Sequence, residues 1–220
     1  MLTVGDQFPP FDLAAVAGWE EPAFTRVRTE DYAGRWLVVF FWPMDFTSVC
    51  PTEVYGFDRA ARDLDQLGAS VVGVSVDSEH VHRAWRRQHP HLRHLSIPLA
   101  SDVRRELVTA TGVLDRSSGV ALRATFLVDP AGVVRHVSVH DLGTGRSVGE
   151  VVRTLAALLS GGPTPCGWQP GDALATGADT DAEAGTGGRP APGDRQGGGT
   201  DTAGDGAANG DRSREPAQAP

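Results

Sequence analysis

Residues 36–42, WLVVFFW, are too hydrophobic to leave either face of a strand exposed to water. Such a run is typical of a central strand that is covered on both sides. Pro43 and a short loop follow it. Apolar residues then recur at helical spacing between Val54 and Leu67, and Gly68 lies where a helix cap is expected. This part of the sequence therefore predicts a strand, a loop and a helix in succession.

The same alternation of apolar strands and amphipathic helices continues along the chain. Residues 129–132, DPAG, give a strong turn signal between two apolar runs and predict a β-hairpin. Asp102 has the residue type of an N-cap and is predicted to begin another short helix. The remaining predicted elements are strands at 70–76, 124–128 and 133–139 and helices at 79–88 and 147–159. Alternating strands and helices predict one layered α/β domain.

The end of the chain differs in composition from the rest. Residues 173–220 are dominated by Gly, Ala, Asp, Thr and Pro, so burial cannot offset their ordering entropy and we predict a disordered tail. The formal net charge is −8; nine acidic and four basic residues from position 172 onward carry −5 of it. The remainder is nearly balanced, which gives no indication of a nucleic-acid partner. No run of eighteen apolar residues and no signal peptide are found, so we expect a soluble, cytoplasmic protein with no membrane partner.

Two cysteines, Cys50 and Cys166, lie 116 residues apart. In a chain without a secretion signal they favour redox or catalytic use over a disulfide framework. They are too far apart for a CxxC pair and too few for a structural zinc site. Five of the seven histidines lie on either side of Pro90 in polar surroundings: His80, His82, His89, His91 and His94. We interpret them as a solvated, incidental group. No metal is expected, and Trp36, Trp42 and Trp85 are predicted to pack in the core or an interface.

Cys50 lies where the loop becomes the helix, with Pro51 at the first helical position. The unpaired amides and the positive dipole end of the helix favour a thiolate, which is the form that attacks a peroxide. In that displacement the site must hold both peroxide oxygens. Backbone amides and the hydroxyl of Thr47, three residues earlier, are suited to this. A nearby guanidinium would help, but spacing does not say which arginine supplies it.

These residues carry a resemblance to a known family. The pattern Pro43-xxx-Thr47-xx-Cys50, continued by PTE at 51–53, resembles the active-site signature of the peroxiredoxins. It resembles in particular the typical two-cysteine branch, which includes the peroxidatic subunit of bacterial alkyl hydroperoxide reductase. Residues 119–129, GVALRATFLVD, resemble the family segment that carries the active-site arginine. The resemblance extends over residues 1–172.

The resemblance implies a role for each matching residue. The family's active-site arginine falls on Arg123, and a second family arginine falls on Arg146 within HDLGTGRS at 140–147. Cys50 would be the peroxidatic nucleophile, shielded from solvent by Pro43. Thr47 and Arg123 would bind the peroxide oxygens. Glu53 and Arg146 would form the charge network that orients Arg123, although as residues alone they could also be an ordinary surface ion pair.

The second thiol follows the last predicted helix. Oxidised Cys50 would be a sulfenic acid, which condenses with another thiol, and Cys166 is the only candidate. Residues 161–172, GGPTPCGWQPGD, are expected to be flexible and resemble the family's resolving-cysteine region. Only Gly167 separates Cys166 from Trp168, whereas many relatives have about three residues there. The resemblance implies an intersubunit disulfide, a head-to-tail homodimer and often a ring of five dimers.

The sequence thus predicts a thioredoxin-like (peroxiredoxin) α/β domain at 1–160, with a central mixed sheet and flanking helices. A resolving-cysteine segment follows at 161–172 and the tail at 173–220. The implied activity is reduction of hydrogen peroxide and organic hydroperoxides to water and alcohols, in antioxidant defence and redox homeostasis. No cofactor is expected, and electrons would come from a dithiol protein such as thioredoxin or a flavoprotein reductase. The Gly-Gly-Leu-Gly loop of overoxidation-sensitive members is missing from 88–97, which implies a robust enzyme.

Three other interpretations remain open at this point. Cys50 alone could be a buried core residue, and Cys166 an incidental thiol in a loose segment. A one-cysteine peroxidase resolved by an external thiol would leave Cys166 idle. A holdase chaperone or a peroxide sensor could use the same fold.

Overall fold

A seven-stranded mixed sheet forms the centre of the structure, a computed structural model that describes residues 1–176. The strands in chain order are β1 (Asp12–Ala17), β2 (Ala23–Arg28), β3 (Trp36–Phe41), β4 (Ala69–Ser75), β5 (Leu99–Ser101), β6 (Leu114–Asp115), β7 (Val120–Ala121), β8 (Arg123–Val128) and β9 (Val134–His140). The sheet order is β2-β1-β5-β4-β3-β8-β9, and β6 and β7 pair separately. The pairs β3–β4 and β4–β5 are parallel, and the other pairs are antiparallel. The predicted α/β domain with a central mixed sheet is confirmed.

Four α-helices flank the sheet in the described residues: α1 (Cys50–Gln66), α2 (Glu79–Gln88), α3 (Glu106–Ala110) and α4 (Val148–Leu159). Strand β3 supplies alternate residues to two separate apolar clusters. Val38, Phe40 and Trp42 pack with residues of α1, α2 and α4 on one side. Leu37, Val39 and Phe41 pack with residues of α3 and the N-terminal segment on the other. The apolar run therefore has no solvent-facing side because both faces of the sheet are covered.

The helix start predicted at Asp102 is wrong in position. Helix α3 begins at Glu106, after Arg105 adopts a left-handed φ of 59°. A turn closed by the Arg105 amide and the Asp102 carbonyl comes first. The Asp102 carboxylate still accepts hydrogen bonds from the amides of Glu106, Leu107 and Val108 at 2.7–3.2 Å. Asp102 lies four residues before the first residue of α3, and its side chain accepts hydrogen bonds from amides that have no partner within the helix.

Other predicted elements lie within a residue or two of their expected positions. The DPAG turn joins β8 and β9 as an antiparallel hairpin, and Ser147 caps α4 by accepting from the Glu150 amide. Helix α2 ends at Gln88, where His89 turns extended before Pro90. The hairpin of β1 and β2 was not predicted.

The chain after α4 folds back on itself as far as it is described. The Ala175 amide donates to the Pro163 carbonyl at 2.9 Å, and Leu174 lies against Gly162. The disorder predicted for 173–220 lies outside the described residues from position 177 onward. Among residues 1–176, no helix is both long and apolar enough to cross a membrane.

Candidate active site

Cys50 is the first residue of α1 and its side chain is fully buried. Pro51 follows at the position where a missing amide hydrogen costs nothing, because the first helical amides have no partner within the helix. The helix dipole and these amides surround the sulfur with positive potential. The local sequence thus places a single thiol where a thiolate is stabilised.

Arg123, at the start of β8, points its guanidinium at this thiol. Its Nη1 lies 3.4 Å from the Cys50 Sγ and 2.5 Å from Glu53 Oε2, and its Nε donates to the Leu142 carbonyl at 2.8 Å. Burial opposes the charge on Arg123, but hydrogen bonding and charge on Cys50 and Glu53 raise its pKa. The guanidinium therefore stays charged beside the sulfur.

Glu53 joins Arg123 to a second arginine. The Glu53 carboxylate accepts from the Arg146 backbone amide at 2.9 Å, from its Nε at 2.8 Å and from its Nη2 at 3.0 Å. Both side chains are at most 3% exposed, so the surface ion pair left open by the sequence is excluded. Burial alone would raise the pKa of Glu53, but Arg146 and Arg123 outweigh it and hold that pKa below its ordinary value. The carboxylate is charged and bridges two guanidinium groups.

Arg146 is itself fixed from several directions. Its Nη1 donates to the Ala124 carbonyl at 2.7 Å and to Thr125 Oγ1 at 3.2 Å. Its guanidinium carbon lies 5.6 and 5.4 Å from the ring centres of Phe40 and Phe57, which face each other in a stack. The hydrogen bonds and the contacts with the two aromatic rings together restrict the orientation of the Arg146 side chain.

Thr47 and Pro43 lie outside this hydrogen-bonded group. Pro43 is buried just after β3, whereas Thr47 is exposed. The Thr47 hydroxyl donates to the Met44 carbonyl at 3.1 Å, which leaves its oxygen lone pairs free to accept. A cavity of about 410 Å³ opens beside it, lined in part by Phe46, Thr47, Pro51 and Trp85.

His82 is buried, and its interpretation as a solvated residue is wrong. Its Nδ1 lies 2.7 Å from the Asp45 carboxylate and its Nε2 lies 3.2 Å from the Ala100 carbonyl. A carbonyl oxygen only accepts, so Nε2 carries a proton. Asp45 also accepts from the indole of Trp42 at 2.9 Å, and burial raises the pKa of Asp45. This group fixes the loop between Pro43 and Cys50 to helix α2.

Sequence reasoning missed His82 although a signal was present. His82 lies three residues before Trp85 and four before Arg86 on α2, so the three share one helix face. All three are buried. Of the three tryptophans predicted to pack, Trp42 and Trp85 lie in the core and Trp36 is partly buried against it. A polar residue in register with a buried tryptophan indicates a buried hydrogen bond.

Cys166 is exposed and both thiols are free. It occupies a tight turn closed by the Trp168 amide and the Pro165 carbonyl at 3.1 Å, with Gly167 at a φ of 76°. Trp168 is only 5% exposed, and its indole donates to the Asp172 carbonyl at 3.1 Å. Cys166 lines a cavity of about 500 Å³ with Arg153 and Leu158 of α4. Within one chain, therefore, Cys50 is buried and Cys166 is exposed.

Comparison with known proteins gives consistent matches. A family model described as the AhpC/TSA family matches residues 4–137. Alkyl hydroperoxide reductase C of Mycolicibacterium smegmatis is 49% identical over 181 residues, which cover 78% of this chain and 92% of that protein. The solved structure of Mycobacterium tuberculosis AhpC is similar with a TM-score of 0.69 at 44% identity, over 73% and 94% of the two chains. The reduced 2-Cys peroxiredoxin of Plasmodium vivax gives 0.73 at 31% identity, over 79% and 92%.

The fold and the site define a thioredoxin-like α/β protein built around a buried cysteine paired with an arginine. The chain belongs to the AhpC/TSA family. The resemblance to the peroxiredoxins and the thioredoxin-like fold that the sequence predicted are confirmed.

Proposed function

We propose that Cys50 is the peroxidatic nucleophile of this chain and that Cys166 resolves its oxidised form. Membership of the family makes the chain a thiol-specific peroxidase that reduces peroxides. The observation that carries the assignment to Cys50 is the Arg123 guanidinium 3.4 Å from its sulfur, at the start of a helix. A positive charge and free amides at one buried thiol favour the reactive thiolate.

The first step is a displacement at oxygen. The Cys50 thiolate attacks the nearer oxygen of the hydroperoxide, the O–O bond breaks, and the farther oxygen leaves as hydroxide or alkoxide and takes up a proton. Cys50 becomes a sulfenic acid. Arg123 donates to the oxygens as negative charge moves from sulfur to the leaving group, which is where a fixed donor accelerates reaction most.

The other site residues support this step. Glu53 and Arg146 hold Arg123 in place, because its Nη1 faces both Glu53 and the sulfur. Thr47, whose hydroxyl hydrogen is used on Met44, accepts a hydrogen bond from the O–H group of the incoming hydroperoxide. Pro43 shields the sulfur from water. The cavity beside Thr47 has a mixed lining, in which Phe46 and Trp85 lie beside the polar Ser48 and Gln88, and we propose that it admits an organic hydroperoxide as well as hydrogen peroxide.

The second step closes a disulfide with Cys166 of another subunit. Support for a homodimer comes from β9, which lies at one end of the seven-stranded sheet. Among residues 1–176 no second strand pairs with its outer edge, although the backbone of its first residue, Val134, bonds to Gly5 and Asp6. Such an edge is a template for pairing with a second copy. We propose a head-to-tail dimer that can assemble further into a ring of five dimers.

Turnover requires an external dithiol protein, because the intersubunit disulfide reopens only by thiol exchange. A thioredoxin or a dedicated flavoprotein reductase fits this requirement. Both thiols of the chain have to be returned to the reduced state, so we propose a cytoplasmic location.

The experiment is single-turnover peroxide reduction by the wild type, Cys50→Ser and Cys166→Ser, followed by stopped flow and non-reducing gels. We expect Cys50→Ser to lose the reaction, and Cys166→Ser to keep it but to form no disulfide-linked dimer. A one-cysteine mechanism is indicated if the wild type forms no such dimer. A wild-type rate constant no greater than that of free cysteine thiolate would leave a sensor or a holdase and remove the peroxidase assignment.

A further inference from the structure

The turn that carries Cys166 is attached to its own helix α4 through one arginine. Arg153 Nη1 donates to the Trp168 carbonyl at 3.0 Å. Glu150 orients that guanidinium with two parallel bonds, from Nε at 2.7 Å and from Nη2 at 2.6 Å. Such bidentate, charge-assisted bonds fix direction as well as distance. The remaining donor of Arg153 is therefore directed at the turn.

Arg153 is also electrically close to the thiol. The hydrogen bond that Arg153 donates to Glu150 raises the pKa of the guanidinium most, and charge on Cys166 adds to the effect. Arg153 and Cys166 line the same cavity. One side chain thus contacts the turn and lines the same cavity as Cys166.

Trp168 ties the position of Cys166 to this attachment. The Trp168 indole is buried and donates a hydrogen bond to the Asp172 carbonyl. Only Gly167 separates Trp168 from Cys166. Two residues of chain span at most about 7 Å. Cys166 therefore stays within that distance of Trp168 for as long as the indole remains in place.

Disulfide formation requires at least one of the two cysteines to move. The two sulfur atoms must approach to about 2.05 Å. The Cys50 sulfur is fully buried, whereas Cys166 lies on an exposed turn. A surface turn and a buried sulfur cannot meet while both keep these positions, and the turn is the part that a single arginine attaches to α4.

We propose that Arg153, oriented by Glu150, is a positioning residue that holds the resolving turn in the thiol state and releases Trp168 when the disulfide forms. This inference rests on the proposed pairing of Cys50 with Cys166. In that step the Cys166 sulfur displaces the sulfenic oxygen of Cys50, the S–O bond breaks, and the oxygen leaves as water with the thiol proton. The peroxide has already supplied the oxidising equivalents. Loss of the attachment removes a restraint from the starting state and speeds closure.

The test compares Arg153→Met with wild type in the full-length chain. Reduced protein is mixed with one equivalent of hydrogen peroxide and quenched over time. A dione reagent traps the sulfenic acid, and non-reducing gels quantify the linked dimer. We expect closure to be about tenfold faster in Arg153→Met, as for loss of one charge-assisted hydrogen bond, with oxidation of Cys50 within about twofold of wild type.

Two controls separate this role from general loosening of the fold. Arg116→Met removes an exposed arginine between β6 and β7 and is expected to match wild type in both rates. Glu150→Gln keeps Arg153 but removes the carboxylate that orients it, so the rate of disulfide closure is expected to rise less than in Arg153→Met. The double variant is expected to match Arg153→Met, since Glu150 acts through Arg153. Thermal unfolding checks that each variant is folded.

Closure that is unchanged or slower in Arg153→Met would overturn the inference while leaving the peroxidase assignment intact. Trapped sulfenic acid without any linked dimer in the wild type would remove the Cys50–Cys166 pairing and this inference with it. Absence of both trapped sulfenic acid and linked dimer would instead count against Cys50 as the nucleophile. Comparing fluorescence of the wild type and Trp168→Phe gives a second measure, because release of Trp168 predicts a change in its emission on oxidation.

Discussion

The two thiols of this chain are held in opposite ways. Cys50 is buried at the start of a helix, and the groups around it are fixed by a carboxylate that accepts four hydrogen bonds from two arginines. Cys166 is exposed on a four-residue turn that one arginine attaches to α4. The difference suggests a division of labour: a nucleophile benefits from a prearranged charge environment, whereas its partner thiol has to move.

The largest effect is expected from removing the guanidinium beside Cys50. Arg123→Met retains an unbranched side chain but no charge or donor, so the second-order rate constant for peroxide is expected to fall by roughly 100- to 1,000-fold. Stopped-flow fluorescence with hydrogen peroxide measures it, and Arg116→Met serves as the control. A fall of less than about fivefold would mean that the helix start alone activates the thiol.

A second comparison concerns stability. Arg146→Met leaves the buried Glu53 carboxylate without two of its hydrogen bonds and without the charge that faces it, so the free energy of unfolding is expected to fall by about 3–5 kcal/mol. Arg153→Met breaks a solvent-screened pair with Glu150 and is expected to cost much less than Arg146→Met. Urea denaturation of the two variants measures both losses. Similar losses would show that the two regions are held equally firmly, contrary to the comparison.

Much of the Cys50 site follows from the sequence because its signals are local. The apolar run before Pro43 predicts β3, and Pro51 beside Cys50 predicts a helix start. Local patterns do not say which distant arginine meets the sulfur. Arg123 is 73 positions away and is brought there by the antiparallel pairing of β3 with β8. Only the family resemblance selected it.

The errors have physical causes as well. Strand β2 is mostly exposed, so AFTRVR lacks the apolar alternation that identifies a strand. His82 was misread because histidine is seldom buried without a partner, and its partner Asp45 lies 37 residues earlier. The turn at Cys166 was expected to be flexible from its Gly and Pro content. Helix α4 was predicted, but the Arg153–Trp168 contact that attaches the turn to it was not, because sequence pattern does not say which side chains of a helix meet a following turn.

The pH dependence of stability tests the charge state of the Cys50 site. The pKa of Glu53 is held below its ordinary value of 4.5, so the unfolded chain binds a proton at higher pH than the folded one. Stability from Glu53 is therefore complete above about pH 5 and is lost as pH falls through its native pKa, with a limiting slope of about 1.4 kcal/mol per pH unit. Glu53→Gln is expected to flatten the curve of unfolding free energy below pH 4.5. The exposed Glu30→Gln is the control, and equal curves for the two variants would contradict the assignment.

The smallest effect is expected at the turn itself, and there the chain offers a matched pair. Gly167 and Gly161 have φ values of 76° and 79°, and an added Cβ would meet no atom within 4 Å at either position. Alanine at each therefore costs only backbone strain, about 1–2 kcal/mol. Gly167→Ala weakens the turn that joins Cys166 to Trp168, so we expect severalfold faster disulfide closure with unchanged oxidation of Cys50. Gly161→Ala bears the same strain outside that turn and is expected to leave both rates unchanged. If the two variants close the disulfide at the same rate, strain anywhere after α4 is sufficient, and the turn has no special part in restraining Cys166.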